Sequence, residues 1–128
     1  MGPELRAAGW DGVVIHGQSP APVYLWIKDD KVEIRDASAH WGKLSGEVQD
    51  GLEQELSDKR IRVLQTGVAG ERGVRYAAIV NQLKHFHGRC GLGAVMGAKR
   101  LKAIAVRGSK PPAASDKDGA KKPLVGFK

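Results

Sequence analysis

The chain has 128 residues, 41% hydrophobic and 27% charged, so it can form one domain with a modest core and is not disordered throughout. Its apolar runs are too short to span a bilayer and its first residues do not resemble a signal peptide, which favours a cytoplasmic protein. The single cysteine, Cys90, excludes an internal disulfide framework and a complete cysteine-ligated cluster within the chain.

The net charge of +7 is concentrated in the later part of the chain. Residues 1–83 carry slightly more acidic than basic side chains, whereas residues 84–108 carry six basic side chains and no acidic one. An anionic partner, such as a cofactor phosphate or a nucleic acid, would be attracted to this stretch. A solvated basic face explains the same charge equally well, so both interpretations stay open at this point.

The first third of the chain is predicted to contain one short helix and three strands. A helix over residues 3–9 precedes an apolar run at residues 12–17, whose flanking glycines predict a buried strand. Residues 23–27 and 32–35 are rich in β-forming side chains and flank the polar turn at residues 29–31, which predicts a β-hairpin.

An amphipathic helix is predicted from Ser45 through Leu56, because Val48, Leu52 and Leu56 recur every four residues. The remaining elements are, in chain order, a strand over residues 61–66, a glycine-containing loop over 67–73, a strand over 75–81, a helix over 91–99 and a strand over 102–107. The order β-β-β-α-β-β-α-β mixes hairpins with helical crossovers and predicts an α+β fold. We expect mixed or antiparallel sheets with helices on one side.

The composition changes at residue 109. Residues 109–128 are polar, contain Pro111-Pro112 and Lys121-Lys122, and show no hydrophobic period. Such a segment is predicted to be a linker or a disordered tail. The folded domain is therefore expected to span residues 1–108.

The segment most informative about chemistry is the glycine-rich basic stretch at residues 88–97. Glycines let backbone N–H groups approach a ligand, and a glycine turn that opens a helix adds the positive end of the helix dipole. Arg89 can bind a phosphate bidentately, whereas Lys99 and Arg100 at the end of the helix are consistent with structural contacts. The sequence therefore predicts a phosphate-bearing ligand at this stretch.

Two common phosphate motifs do not fit this stretch. The spacing G-x-G-x-x-x-G at residues 91–97 has one residue too many for a dinucleotide-binding turn, and no acidic residue occurs in residues 108–115, where one is expected. No Gly-Lys-Ser/Thr follows, which excludes a P-loop. His85 and His87 would share one face of a strand, but two histidines without a third ligand make a poor metal site.

A much longer pattern covers residues 87–108, HGRCGLGAVMGAKRLKAIAVRG. It resembles a segment of the tungsten- and molybdenum-dependent aldehyde ferredoxin oxidoreductases, whose pattern runs Gly-Arg-x-Gly-hydrophobic-Gly-Ala-Val-Met-Gly-Ser/Ala-Lys and then Leu-Lys-Ala-Ile. Further blocks agree with the family pattern in the same order along the chain. They are residues 2–5 and 8–11, residues 22–25, residues 32–38 and 41–42, and residues 67–71 and Asn81. The resemblance covers residues 2–110.

The resemblance implies that the chain is the C-terminal portion of the family's N-terminal domain, half of a duplicated two-sheet domain. Family members hold two pterins around tungsten or molybdenum, bridge the pterin phosphates with magnesium, and pass electrons through a [4Fe-4S] cluster to ferredoxin. The implied parent reaction oxidises an aldehyde to a carboxylic acid. The cluster ligands and the earlier half of the domain would lie outside these 128 residues. We therefore expect the chain alone to be inactive and to work with the remaining domains or subunits of the parent enzyme.

The same resemblance implies which residues contact the cofactor. These are His85, Phe86, His87, Gly88 and Arg89, and the backbone carbonyl of Phe86 would face magnesium. A carbonyl ligand is independent of the side chain and suits a hard cation. Many family members have Arg in place of His85 and Ala in place of Phe86 and His87. A neutral histidine holds an anion more weakly than an arginine does.

Two other functions stay open. The basic residues after Lys84 are compatible with a small module that binds nucleic acid or polyphosphate, although aromatic residues are only 5% of the chain and none lies in the basic helix. The chain is also compatible with a structural subunit that docks on separately encoded catalytic domains, and with a homo-oligomer. A fragment or a subunit is expected to expose apolar surface that its partner covers.

Overall fold

The computed structural model of the chain describes residues 1–110, 112–113, 115–116 and 119. Within this part, six strands form one sheet: β1 Val23–Lys28, β2 Lys31–Asp36, β3 Arg62–Thr66, β4 Ile79–Asn81, β5 His85–His87 and β6 Leu101–Arg107. Over residues 1–110, four helices accompany them: α1 Gly2–Ala7, α2 Ser45–Glu55, α3 Val68–Glu71 and α4 Leu92–Ala98. None of these helices is long and apolar enough to cross a membrane.

The strand order across the sheet is β2-β1-β6-β3-β4-β5. β1 and β2 form the predicted antiparallel hairpin, and β1 lies parallel to β6. The other neighbours, β6 with β3, β3 with β4 and β4 with β5, are antiparallel. The predicted α+β class with a mixed sheet is therefore confirmed, and the two edges of the sheet are β2 and β5.

One face of the sheet is covered by α2. Val48 and Leu52, the residues whose spacing predicted this helix, are fully buried. They pack in one cluster with side chains from β1, β3 and β6 and from the loops beside them: Tyr24, Trp26, Ala37, Ile61, Val63, Ala103 and Ala105. Burial of this apolar face, at about 25 cal/mol per Å², is the main force that holds α2 on the sheet.

The opposite face carries a second cluster, so the helices expected on one side of the sheet pack against both of its faces. Leu5 and Ala8, in and just after α1, and Met96 of α4 pack there against the alternate side chains of the strands. These strand residues are Leu25, Ile27, Leu101, Ile104 and Val106. A strand that is buried on both faces has a continuous apolar sequence instead of an alternating one, and β1 and β6 both show this pattern.

The pairing of β1 with β6 contains a bulge. Val23 pairs with Leu101, whereas the next residue, Tyr24, pairs with Ala103. Lys102 is therefore the extra residue on β6, and its side chain is fully buried. This irregularity lets a lysine enter the molecule from a central strand.

Residues 12–17, predicted as a buried strand, form no strand in the structure. Ile15 packs against the sheet, but Val14 is 81% exposed. The prediction was wrong because the run lies over the face of the sheet, where Ile15 packs against the second cluster, and it pairs with no strand. The run also supplies part of the exposed apolar surface that a fragment or a subunit is expected to have.

Two further boundaries differ from the prediction. The strand predicted over residues 75–81 is limited to β4, and the glycine-containing loop at residues 67–73 contains the short helix α3. β5, on residues that no apolar alternation marks, is an additional strand. All three differences lie in the part of the chain that leads into the candidate site.

The first two residues of the predicted tail are bound to the domain. Ser109 donates from its backbone N–H and its hydroxyl to the carboxylate of Asp29, at 2.7 and 3.0 Å. The N–H of Lys110 donates to the carbonyl of Ala7 at 3.0 Å. Most of the rest of the predicted tail, including Pro111 and residues 120–128, lies outside the described residues, so the boundary at residue 108 stays a prediction.

Candidate functional site

The hairpin of β4 and β5 forms the edge of the sheet at which the predicted site residues lie. Gln82 and Leu83 turn the chain with positive φ angles of 52° and 57°. In the described part of the chain β5 pairs only with β4, so its outer edge presents unpaired backbone groups. His85 and His87 lie on one face of β5 and Phe86 on the other, because side chains alternate along a strand.

The five predicted contact residues are all exposed, and Phe86 leaves 66% of its surface accessible. The structure therefore brings His85, Phe86, His87, Gly88 and Arg89 together as one continuous exposed segment. Over residues 1–110, none of their side chains is engaged in a hydrogen bond or an ion pair with the protein. Large apolar or aromatic side chains left at the surface beside histidine and arginine are a common feature of ligand sites.

The glycines that follow this segment are closed by protein backbone. Gly91, in the left-handed region at φ 64°, lies against the carbonyl of Arg75, and a Cβ there would overlap with that oxygen. Gly93 donates its N–H to the carbonyl of Ala77 at 2.9 Å and accepts from the hydroxyl of Thr66 at 2.9 Å. These groups cannot serve a ligand while they make these bonds.

α4 packs backbone to backbone on α3. A Cβ on Gly97 would overlap with the carbonyl of Gly70, and a Cβ on Gly70 would overlap with the carbonyl of Gly93. The small residues of α4 therefore serve helix packing. The predicted phosphate segment at residues 88–97 divides into an exposed part, residues 88–90, and a packed part from Gly91 onwards.

Four of the six basic residues between 84 and 108 are engaged within the domain. Lys99 donates to the carbonyl of Gly17 at 2.9 Å, and Arg100 donates to the carbonyl of Pro20. Both contacts hold the loop after residues 12–15 against the end of α4. This is the structural role that their position at the helix C-terminus allowed.

The other two engaged basic residues form ion pairs with acids from the first part of the chain. Lys102 pairs with Glu71, and both side chains are almost completely buried. Arg107 binds Glu4 at 2.6 Å and Asp58 at 3.1 Å, and the hydrogen bond with Glu4 raises the pKa of its guanidinium.

Lys84 and Arg89 are the two basic residues of this stretch whose side chains make no hydrogen bond or ion pair within the described residues. They flank β5 on either side in the sequence. Their ammonium and guanidinium groups give this edge a cationic character, and the imidazoles of His85 and His87 add hydrogen-bonding groups. The arrangement can bind an anion, and a guanidinium fork is especially suited to phosphate oxygens.

The site does not offer a side-chain metal centre. No group of three or more His, Cys, Asp or Glu residues in the described part of the chain is placed to hold a metal ion. Cys90 is exposed, beside Arg89, with a positive φ of 63°. An ion bound at this edge would have to take backbone oxygens or ligand oxygens from β5 and its partners.

Several residues that shape the site were not identified from the sequence. Helices α3 and α4 and the turn between residues 88 and 91 are held by residues that lie far from that turn in the chain. These residues are Thr66, Gly70, Glu71 and Ala77. In the sequence, the block at residues 67–71 stands out only by its resemblance to the family. Gly70, between Ala69 and Glu71, is the one residue of this block that could have indicated a close helix contact.

Comparison with known proteins identifies the family. The family model described as aldehyde ferredoxin oxidoreductase, N-terminal domain, matches residues 1–108. The tungsten-containing aldehyde ferredoxin oxidoreductase of Thermococcus kodakarensis is 51% identical over 117 residues, which cover 91% of this chain and 19% of that protein. An aliphatic sulfonate oxidoreductase, WOR-like subunit, of Pyrococcus furiosus is 42% identical over 134 residues, or 94% of this chain and 22% of its own length.

A solved structure has the same fold. A chain of the active site complex BamBC of benzoyl coenzyme A reductase, in complex with 1,5 dienoyl-CoA, superposes with a TM-score of 0.91 at 41% sequence identity. The match covers 98% of this chain and 19% of that chain. This chain thus spans about a fifth of the length of the relatives it matches. From the family model and the identity to these relatives, the chain belongs to the aldehyde ferredoxin oxidoreductase family and corresponds to its N-terminal domain.

Proposed function

We propose that residues 85–89 form one wall of a bis-pterin site in a tungsten- or molybdenum-dependent oxidoreductase of which this chain is a part. The observation that supports this most directly is the continuous exposed segment from His85 to Arg89, whose side chains are unengaged in the described part of the chain. The glycines from Gly91 to Gly97 and the side chain of Lys99, in contrast, are occupied by protein contacts. We expect a site for an external ligand to combine unengaged side chains with a support that is held by protein contacts.

The residues fit the group that the family implies. Arg89 and Lys84 would bind pterin phosphates, the exposed Phe86 ring would pack against a flat ligand, and His85 would donate a hydrogen bond to an anion. The free outer edge of β5 offers backbone carbonyls, and the carbonyl of Phe86 would hold a magnesium ion that neutralises the pterin phosphates. Gly88 keeps the backbone accessible, since a Cβ there would meet nothing within 4 Å.

When bound, the metal–pterin group supplies the redox chemistry of aldehyde oxidation to a carboxylic acid. This chain's residues would contribute binding and orientation, because a pair of nucleophile and general base is missing from residues 85–89. The [4Fe-4S] cluster needs ligands that the single cysteine cannot supply, so it would be held by other parts of the parent enzyme. We propose that ferredoxin accepts the electrons and that the enzyme is cytoplasmic.

The proposal is tested on the assembly that contains this chain, purified from its native host through a tag on the chain. Tungsten, molybdenum and magnesium are measured by mass spectrometry and pterin by the fluorescence of its oxidised form. Stoichiometric metal and two pterins for each chain would support the proposal, and an assembly without tungsten, molybdenum and pterin would refute it.

A pair of variants tests the assignment of the wall itself. Arg89→Gln should lower the pterin content of the assembly, because it removes the guanidinium fork at the exposed segment. Arg60→Gln is the matched control, since Arg60 is largely exposed and pairs only with the nearby Asp58 among the described residues. Equal pterin content in both variants would refute the role of Arg89.

A further inference from the structure

The buried ion pair of Lys102 with Glu71 points to a function beyond stability. Lys102 is 0% exposed and the Glu71 side chain 3% exposed. The ammonium also donates to the carbonyl of Lys43 at 3.3 Å, and the second carboxylate oxygen of Glu71 accepts from the N–H of Gly42 at 2.8 Å. Desolvation of both charges is costly, so such a pair is weak as a stabilising device and needs another explanation.

The pair fixes the position of α3. Glu71 is the last residue of α3, and Lys102 enters from the bulge of the central strand β6. The contact therefore ties the C-terminal end of this four-residue helix to the middle of the sheet. A helix of one turn has little stability of its own, so its place depends on such tertiary contacts.

α3 in turn fixes α4 and the turn before it. The carbonyl of Gly70, next to Glu71, lies against Gly97, and Gly70 itself lies against the carbonyl of Gly93. Because these are backbone contacts without intervening side chains, a shift of α3 has no flexible group to absorb it. The shift would pass to Gly91 and from there to the exposed turn that carries Arg89.

We infer that Glu71 and Lys102 are positioning residues that hold the Arg89 turn in the geometry needed to bind a pyrophosphate-type anion. This inference rests on the proposed function, and it specifies how residues distant from the ligand set the geometry of its wall. It also gives a physical role to two segments of the family resemblance, residues 67–71 and the Leu-Lys-Ala-Ile run at residues 101–104. Neither segment contributes to the exposed residues 85–89.

The test uses the 128-residue chain, labelled with ¹⁵N and titrated with inorganic pyrophosphate. Glu71→Gln keeps the size of the side chain but removes its charge and one of its two acceptor oxygens. This weakens the tie between α3 and Lys102, so the amide signals of Arg89–Gly93 should shift. Pyrophosphate affinity should fall about fivefold or more, as is typical for coupling between distant sites. Lys102→Met, the second variant, should show both effects.

Leu52→Ala is the matched control, because Leu52 is a residue of α2 that is buried against the sheet in the first cluster, away from the contacts of α3 with α4. All affinities are measured at a temperature at which each variant is folded, so a loss of stability by itself does not lower them. Weakened binding and shifted Arg89–Gly93 signals in the pair variants, with neither in Leu52→Ala, would support the inference. If Lys102→Met does not fold, Glu71→Gln decides alone.

Two results would overturn the inference. One is a set of unchanged Arg89–Gly93 amide signals in Glu71→Gln, and the other is an equal loss of affinity in Leu52→Ala. A wild-type chain that binds no pyrophosphate would count against the proposed phosphate wall, whereas the amide signals would still decide whether the pair positions the turn. The two failures are therefore distinguishable.

Discussion

The carbonyl oxygen of Gly70 occupies the place where a Cβ atom on Gly97 would lie, so α3 and α4 touch through their backbones. This contact explains why the helix after the exposed turn is rich in glycine and alanine. The small residues allow close helix packing, and the ligand-facing role falls to the residues before Gly91. The glycine pattern alone cannot separate these two uses, since both require the absence of a side chain.

Gly97→Ala should destabilise the domain by about 1–3 kcal/mol, because the new methyl group forces α3 and α4 apart in a packed region. The free energy of unfolding is measured by urea denaturation. Gly88→Ala is the matched control: a Cβ there meets nothing within 4 Å, and we expect a change within about 0.5 kcal/mol. Equal effects of the two substitutions would contradict the described helix contact.

Tyr24→Phe should show the role of a partly buried hydrogen bond on the face of the sheet that α2 covers. The Tyr24 hydroxyl donates to Glu55 at 2.5 Å, and Glu55 also binds His40 at 3.0 Å. Loss of this bond should lower the free energy of unfolding by about 1 kcal/mol at pH 8. His40→Gln would serve as a comparison, since it removes the other partner of Glu55 and leaves the Tyr24 bond in place.

The same residue predicts an alkaline pH dependence. Burial, followed by the hydrogen bond to Glu55, raises the pKa of Tyr24 from 10.0 to about 12. A phenol with a raised pKa in the folded state contributes stability that is fully present below pH 10 and is lost as the pH rises from 10 towards 12. The difference in unfolding free energy between wild type and Tyr24→Phe should therefore shrink over this range. A constant difference up to pH 12 would contradict it.

Much of the fold could be predicted from local pattern. The hairpin of β1 and β2 and the helix α2 follow from β-forming runs around a polar turn and from the spacing of Val48 and Leu52. The strand predicted over residues 12–17 is absent because this apolar run packs over the face of the sheet, through Ile15, and pairs with no strand. A local apolar run cannot show whether its segment joins a sheet edge or covers a sheet face, since that depends on the order of strands across the sheet.

The residues of the candidate site stay a prediction, and the contacts that support them could not be predicted. His85 to Arg89 came from the family resemblance, whereas the charge of residues 84–108 suggested a broader anion-binding surface. In the structure Lys102 and Arg107 meet acids that lie 31 or more residues away in the chain, which local charge counting cannot anticipate. Long-range contacts thus separate the four engaged basic residues from Lys84 and Arg89, whose side chains have no partner in the part of the chain that the structure describes.

Ser109 should report the state of the Asp29 carboxylate. The hydrogen bond from the Ser109 backbone N–H, the largest cause, holds the pKa of Asp29 below its usual value of 3.8. A lowered carboxyl pKa contributes stability that is present above the unfolded pKa and is lost as the pH falls through the folded one. The Ser109 amide signal should therefore shift with a midpoint below pH 3.8. Asp29→Asn should abolish this titration, and a midpoint at or above 3.8 would contradict the contact.

His85→Arg tests the one position of the candidate wall at which this chain departs most in charge from the family pattern. An arginine is always charged and offers a fork of donors to phosphate, whereas an imidazole offers at most one donor on each ring nitrogen. If residues 85–89 bind the pterin phosphates, pyrophosphate should bind His85→Arg about tenfold more tightly, a gain of about 1.4 kcal/mol. His16→Arg makes the same substitution at another exposed position and should leave the affinity nearly unchanged. Because a general gain in positive charge would act alike in both variants, equal affinities would show that the β5 edge is not the anion site.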